Sequence, residues 1–260
     1  MVMSSALAEP TSRAIACEVV SFDGTRIAYD LYDHTSRTLV LVVPGFWRFR
    51  RHPSMTGFAA LLNDLGYRAA IIDPRGHGES GGTYGFNLHE HHDVAAVASD
   101  LLRRFPSTEG ICLIGLSYGG AIAISAAARN ALPFKSLLLI SPVAEFSSIV
   151  PRLNPLTLHR HIAWSQAFHR PRFVLRRSSE KLEAIHDIKQ VHVPVAFVHV
   201  KDDWLINHKH SERLYAAANE PKELHVLDIP GQFHADHIFK VAGDRVTSIV
   251  GGFLDAYAPR

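Results

Sequence analysis

Cysteine is scarce in this 260-residue chain, which has only Cys17 and Cys112. Two cysteines exclude a disulfide framework and make a reducing, cytoplasmic setting the expectation. No apolar run approaches the roughly 20 residues of a membrane-spanning helix, so stable membrane insertion is not expected. Met1 to Thr11 lack the basic start of a secretion signal, and residues 1–12 read as a mobile tail. Ala14-Ile15-Ala16-Cys17 has no apolar stretch ahead of it, so Cys17 reads as a strand residue. Charge of one sign is also missing. Lys and Arg number 27 against 25 Asp and Glu, a net +2 that argues against the strongly basic face of a nucleic-acid binder. Internal repeats and low-complexity segments are absent.

What is present is a composition of 47% hydrophobic and 20% charged residues, able to bury a sizeable core. The length fits one large α/β domain with an insertion better than two domains. Cys17 to Ser21 and Arg26 to Tyr32 read as short strands around the Asp23-Gly24 turn. Thr38 to Pro44 is apolar without alternation, as a strand buried on both faces reads. A helical stretch from about Pro53 to Leu65 follows, then a buried strand over Tyr67 to Asp73. Glu90 to Phe105 places Val94, Val97, Leu101 and Leu102 at helical spacing. Ser136 to Pro142 is another buried strand, with Cys112 in the strand before it as a buried free thiol. The alternation stops over residues 143–190, which hold Pro151, Pro155 and Pro171. It returns with Pro194 to Val200, a helix near His210 to Ala218, the run Glu223 to Ile229 and a last helix reaching about Tyr257. Residues 1–142 and 191–260 thus read as one core, and 143–190 as an inserted helical lid.

Gly115-Leu116-Ser117-Tyr118-Gly119-Gly120 lies between the apolar run Ile111 to Ile114 and the alanine-rich run Ala121 to Ala128. Gly-x-Ser-x-Gly at a strand-to-helix junction exposes a serine on a sharp turn. A serine hydroxyl is a weak nucleophile near neutral pH. It needs a base, an acid orienting that base, and donors for the oxyanion that forms. Three further blocks flank it in order: Val43-Pro44-Gly45-Phe46, Asp73 to Ser80, and Lys201-Asp202-Asp203-Trp204 with Pro230-Gly231-Gln232-Phe233-His234. On these four blocks residues 18–257 resemble the α/β-hydrolase superfamily.

The resemblance implies a mostly parallel eight-stranded sheet flanked by helices, and a triad in the chain order Ser, acid, His. Ser117 matches the nucleophile. Asp203 matches the acid, with Asp202 as its competitor; the apolar Trp204-Leu205-Ile206 that follows suits Asp203. His234 matches the base, with His237 one turn further on. The implied oxyanion donors are the backbone amides of Phe46 and Tyr118. Family members usually carry His-Gly before the first donor, whereas this chain has Pro44-Gly45. The histidine that would brace the loop is missing.

His89, His91 and His92 with Glu90 and Asp93 do not converge on one helix face as a His-Glu-x-x-His pair would, so neither metal nor cofactor is expected. Arg48, Arg50, Arg51 and His52, with Arg170, Arg172, Arg176 and Arg177, form either a solvated surface or a pocket mouth favouring an anionic ligand. Trp47, Trp164, Phe168 and Phe173 either line an acyl pocket or pack the lid on the core. The expected activity is hydrolysis of small-molecule carboxylic esters. A thioesterase is the alternative, because Pro-Gly-Phe followed by arginines and Asp-Asp-Trp are similar to bacterial acyl-carrier-protein thioesterases. Carbon–carbon hydrolysis and acyl transfer use the same triad, and some ligand-binding receptors keep this fold without catalysis. Oligomeric state is not readable.

Overall fold

The computed structural model describes residues 13–148, 171–174, 183–258 and 260. Eight strands form one sheet: β1 (Ile15–Val20), β2 (Arg26–Tyr32), β3 (Thr38–Val43), β4 (Arg68–Ile72), β5 (Gly110–Leu116), β6 (Phe134–Ile140), β7 (Val195–Val200) and β8 (Lys222–Leu227). Their order across the sheet is β1-β2-β4-β3-β5-β6-β7-β8. β2 pairs antiparallel with β1 and β4, and every other pairing is parallel. The helices among the described residues are α1 (Pro53–Asp64), α2 (Glu90–Arg104), α3 (Tyr118–Arg129), the single turn α4 (Ala184–Asp187), α5 (Lys209–Ala217) and α6 (Ile238–Tyr257). None is long and apolar enough to cross a membrane.

The unbroken apolar strands are what a two-faced sheet requires, since alternate side chains point to opposite layers. In β3, Leu39 and Leu41 join Leu113, Leu137, Val97, Leu101 and Ile122 in the layer under α2 and α3. Val40 and Val42 join Ile114, Leu138, Phe58, Leu62, Val250 and Leu254 in the layer under α1 and α6. Each such fully buried large side chain contributes about 1.5–3 kcal/mol relative to exposure. Cys112 lies in the second layer, and burial pushes its thiol up to about 12.

Strand bounds differ from the sequence reading by one or two residues, and the ends of the expected insertion belong to the core. Val143, Ala144 and Phe146, with Ala184 and Ile188, are buried in the layer beside α3. Pro151, Pro155, Trp164, Phe168, Arg170, Arg176 and Arg177 lie outside the described residues, as does the tail expected over residues 1–12. His237 falls in the short turn Ala235–His237 ahead of α6 rather than inside that helix.

Register positions the chemistry. Val43 stands opposite Gly115, and Leu116 opposite Ile140, so β3, β5 and β6 end at one level. Val200 stands opposite Leu227, which carries the chain beyond β7 and β8 to the same edge. Turns and loops leaving that edge hold Phe46, Ser117, Asp203 and His234. Ligands of open α/β sheets bind at this carboxyl edge.

Candidate active site

Ser117 follows β5 and opens α3 with φ +54° and ψ −123°, a backbone state disfavoured for any residue with a Cβ. Contacts on both sides hold it there. Its amide donates to Ile140 O at 2.8 Å. The chain can cross so closely only because small residues surround the turn: a Cβ on Gly119 would lie 2.1 Å from Val43 O, and one on Gly45 would lie 2.8 Å from Ser117 Cβ.

His234 and Asp203 arrive from the loops after β8 and β7. Ser117 Oγ lies 2.8 Å from His234 Nε2, and His234 Nδ1 lies 2.8 Å from Asp203 Oδ2. Asp202 is exposed, so of the two candidate acids Asp203 is the one that meets the imidazole. Asp203 Oδ1 accepts from the Leu205 and Ile206 amides, each at 2.9 Å. Burial alone would raise this carboxyl, but the adjoining His234 and His199 outweigh it and hold Asp203 well below the usual carboxylate range. An ionised Asp203 takes the Nδ1 proton of His234 in a hydrogen bond. The Nε2 lone pair is then directed at the serine hydroxyl. Trp204 stands edge-on to His234 at 6.1 Å.

The loop carrying Phe46 is a turn in which the Arg48 amide donates to Gly45 O at 3.1 Å. Arg48 ties it to the His234 loop: Nε donates to Asp236 Oδ2 at 3.1 Å, and Nη2 lies 3.4 Å from His237 Nε2. Burial would raise Asp236, yet the Arg48 charge brings it down to about 2. Among the described residues neither the Phe46 nor the Tyr118 amide donates to a protein acceptor.

Arg50 corrects the view of these arginines as surface or pocket mouth. It is buried, and its guanidinium meets Asp30, Asp73 and Glu79 while its amide donates to Asp73 Oδ1 at 2.6 Å. Arg51 joins the same carboxylates of Asp30 and Glu79. The Asp73 to Ser80 block is therefore the socket for the loop holding Phe46. Arg172 is exposed, and its Nη2 donates to Ser80 O at 2.5 Å, so it braces this loop from outside.

Phe173 lies in the short strap 171–174, held by hydrogen bonds from the Arg172 amide to Gly76 O and from the Val174 amide to Tyr84 O. Its ring stands edge-on to Phe46 at 5.5 Å and to Phe86 at 6.0 Å. Trp47 packs edge-on to Phe46 at 5.4 Å. Phe86 in turn meets Tyr118 and Phe146 at 5.4 and 4.9 Å, which makes one apolar wall beside the serine's helix. His89 and His92 pack on Phe22, and His91 stacks on His92. Glu90 accepts the Leu88 and His89 amides, so it secures its own loop. Among the described residues no group of three or more His, Cys, Asp and Glu is arranged to hold a metal.

Two residues escaped the sequence reading. His199, fully buried in β7, lies 3.5 Å from Asp203 Oδ2 and also meets Ser211 Oγ and Ile206 O. Its signal was a lone polar side chain in an apolar strand, which must find partners. His77 accepts the Trp47 amide at 3.2 Å and has no comparable local signal.

A family model described as serine aminopeptidase, S33, matches residues 34–187. YqkD, an uncharacterized protein of Bacillus subtilis (strain 168), is 28% identical over 204 residues, which cover 75% of this chain and 64% of YqkD. The chain thus spans slightly less than two thirds of that relative's length. The Pyrococcus furiosus esterase Pf2001 superposes with a TM-score of 0.78 at 21% identity, covering 95% of this chain and 94% of that one. The esterase RhEst1 from Rhodococcus sp. ECU1013 superposes with a TM-score of 0.66 at 21% identity, covering 94% of this chain and 99% of that one.

Proposed function

The chain belongs to the serine aminopeptidase S33 family of α/β-hydrolases, and on that premise we propose that it hydrolyses small-molecule carboxylic esters through an acyl-enzyme. The observation that carries the reading is the unbroken line from Ser117 Oγ through His234 to Asp203, two contacts of 2.8 Å each. In this reading Ser117 Oγ attacks the ester carbonyl carbon as His234 Nε2 takes its proton. Asp203 keeps its negative charge and stabilises the imidazolium. The Phe46 and Tyr118 amides receive the oxyanion. Collapse of the tetrahedral intermediate breaks the carbon–oxygen bond, and His234 returns the proton to the departing alkoxide. A water, deprotonated by His234, then releases the acid and restores Ser117.

The ring wall of Phe46, Phe86, Phe146 and Phe173 favours an apolar acyl or aryl group. Asp203, paired with His234, and Asp236, paired with Arg48, are both buried, which leaves neither to hold the ammonium of a peptide's amino end. Arg48, Arg50 and Arg51 are engaged in ion pairs, which weakens the case for an anionic acyl carrier. A lid within residues 143–190, inside the core-packed ends Val143 to Phe146 and Ala184 to Ile188, and the substrate contacts at Trp47, Trp164, Phe168 and Arg172 belong to the same proposal.

A fluorophosphonate probe tests it. Wild type is expected to label and Ser117→Ala not to, with aryl esters turned over faster than acyl-thioesters of equal chain length. Folded wild type that stays unlabelled would overturn the enzyme reading in favour of a ligand-binding protein. Faster thioester cleavage would overturn the ester preference.

A further inference from the structure

The turn from Gly45 to Arg48 carries a conformational cost. The Arg48 amide closes it on Gly45 O, and its third residue, Trp47, has φ +70°. Phe46 is not among the residues of positive φ, which makes this a type II turn. That type calls for glycine or asparagine at its third position, because a Cβ there crowds the backbone. Tryptophan, large and rigid, is a poor occupant. The same two ends can be joined without strain by a type I turn, reached by rotating the Phe46–Trp47 peptide through about half a turn. Something must hold that one peptide in place.

Its N–H is the Trp47 amide, and the acceptor is His77 Nε2 at 3.2 Å. The other ring nitrogen, Nδ1, lies 3.2 Å from Arg75 O, an atom that can only accept. The proton therefore sits on Nδ1, and Nε2 offers its lone pair to Trp47. The ring cannot swing away. It is 3% exposed and lies edge-on to Phe46 at 5.6 Å and to Tyr84 at 4.8 Å. Its own loop is closed by His77 N to Pro74 O at 2.9 Å and Gly76 N to Gly81 O at 2.8 Å. Gly45, the first residue of the turn, abuts Ser117, so the Gly45–Phe46 peptide that carries the Phe46 N–H lies between Ser117 and the central peptide held by His77.

We propose that His77 is a positioning residue for the oxyanion site: by accepting the Trp47 amide it selects the type II turn, and by fixing that turn it keeps the preceding Gly45–Phe46 peptide, whose N–H is the Phe46 amide, in place beside Ser117. This rests on the serine-hydrolase reading. It assigns to a loop 30 residues downstream the bracing that Pro44, which has no imidazole, does not supply. An oxyanion donor acts on the transition state and hardly on the bound ester, so its misplacement lowers kcat and leaves KM nearly unchanged.

The test compares His77→Leu, which has no acceptor, with His77→Gln, whose side-chain oxygen reaches a similar point. In His77→Leu, kcat is expected to fall about 10- to 100-fold with KM within about threefold of wild type. Affinity for an aryl trifluoromethyl ketone, which forms a tetrahedral adduct on serine, falls in parallel. In His77→Gln both recover to within about threefold of wild type. A wild-type kcat in His77→Leu, a change confined to KM, or a kcat loss that Gln leaves unrepaired would each overturn the proposal. Nitrogen-15 NMR of histidine-labelled wild type reads the bond without any substrate. A protonated Nδ1 and bare Nε2 at His77, with a slowly exchanging Trp47 amide, are expected. A protonated Nε2 would overturn the assignment even if His77→Leu fails to fold. Wild type that turns over no ester yet shows the expected NMR signature would count against the hydrolase reading, and the kcat arm of the proposal would fall with it.

Discussion

Lowering the pH from 7 to 5 loads protons onto the unfolded chain that the folded chain refuses at His77. Burial pushes this imidazole down to about 4 from the ordinary histidine value of 6.5, against the opposing pull of the Arg75 and Pro74 carbonyls. The sign follows from proton counting. Between those two values the unfolded state binds a proton at this position and the folded state does not, so stability falls as pH drops through that window. At 1.36 kcal/mol per unit the whole window is worth roughly 3 kcal/mol, of which about 2 kcal/mol is lost between pH 7 and 5. At 3% exposure the residue needs no discount for solvent screening. His52 and His91 are lowered in the same direction, while Asp73, Glu90 and Asp93 are raised by burial and act with the opposite sign. A difference measurement removes all of them. His77→Gln cannot take up the proton, so urea unfolding at pH 7 and at pH 5 should show wild type losing about 2 kcal/mol more than the variant. Identical pH dependence in the two proteins would refute the reasoning.

Arg50→Leu leaves Asp73 buried without its cation and Asp30 with Arg51 alone, and should destabilise the fold by about 3–5 kcal/mol in urea titrations. A loss below about 1 kcal/mol would mean that Arg51 or water replaces it. Gly45→Ala drives a methyl to 2.8 Å from Ser117 Cβ, and should lower kcat about 100-fold in an aryl-ester assay. Unchanged turnover would show that the Gly45–Arg48 turn yields at little cost.

The strands and both helical layers were legible because a parallel sheet writes itself as apolar runs, and α2 as Val94, Val97 and Leu101 at helical spacing. Ser117, Asp203 and His234 were readable because each matches a motif block of the α/β-hydrolase superfamily that the chain resembles, and the fold brings the three side chains together. The preference for Asp203 over Asp202 rested only on the apolar Trp204-Leu205-Ile206 after it, since neighbouring residues leave a turn in different directions; in the fold it is Asp203 that meets His234. Arg48, Arg50 and Arg51 looked like one basic cluster for the same reason. In the fold Arg48 reaches Asp236, 188 positions away, while Arg50 turns inward to Asp30 and Asp73. His77 was illegible because its significance lies in Trp47, on another loop, and in a turn type that Trp47 does not announce. Long-range side-chain partners leave no local period in a sequence.

The bond between Arg48 and Asp236 also bears on the order in which the molecule matures. β3 lies between β4 and β5, so the centre of the sheet closes only when segments far apart in the chain have met. A chain emerging from synthesis carries Ser117 on its turn well before residues 203, 234 and 236 exist to join it. During refolding, helix content can return through α1, α2 and α3 while His234 and Asp203 have yet to meet Ser117. Ester turnover would then report the completed topology and nothing earlier.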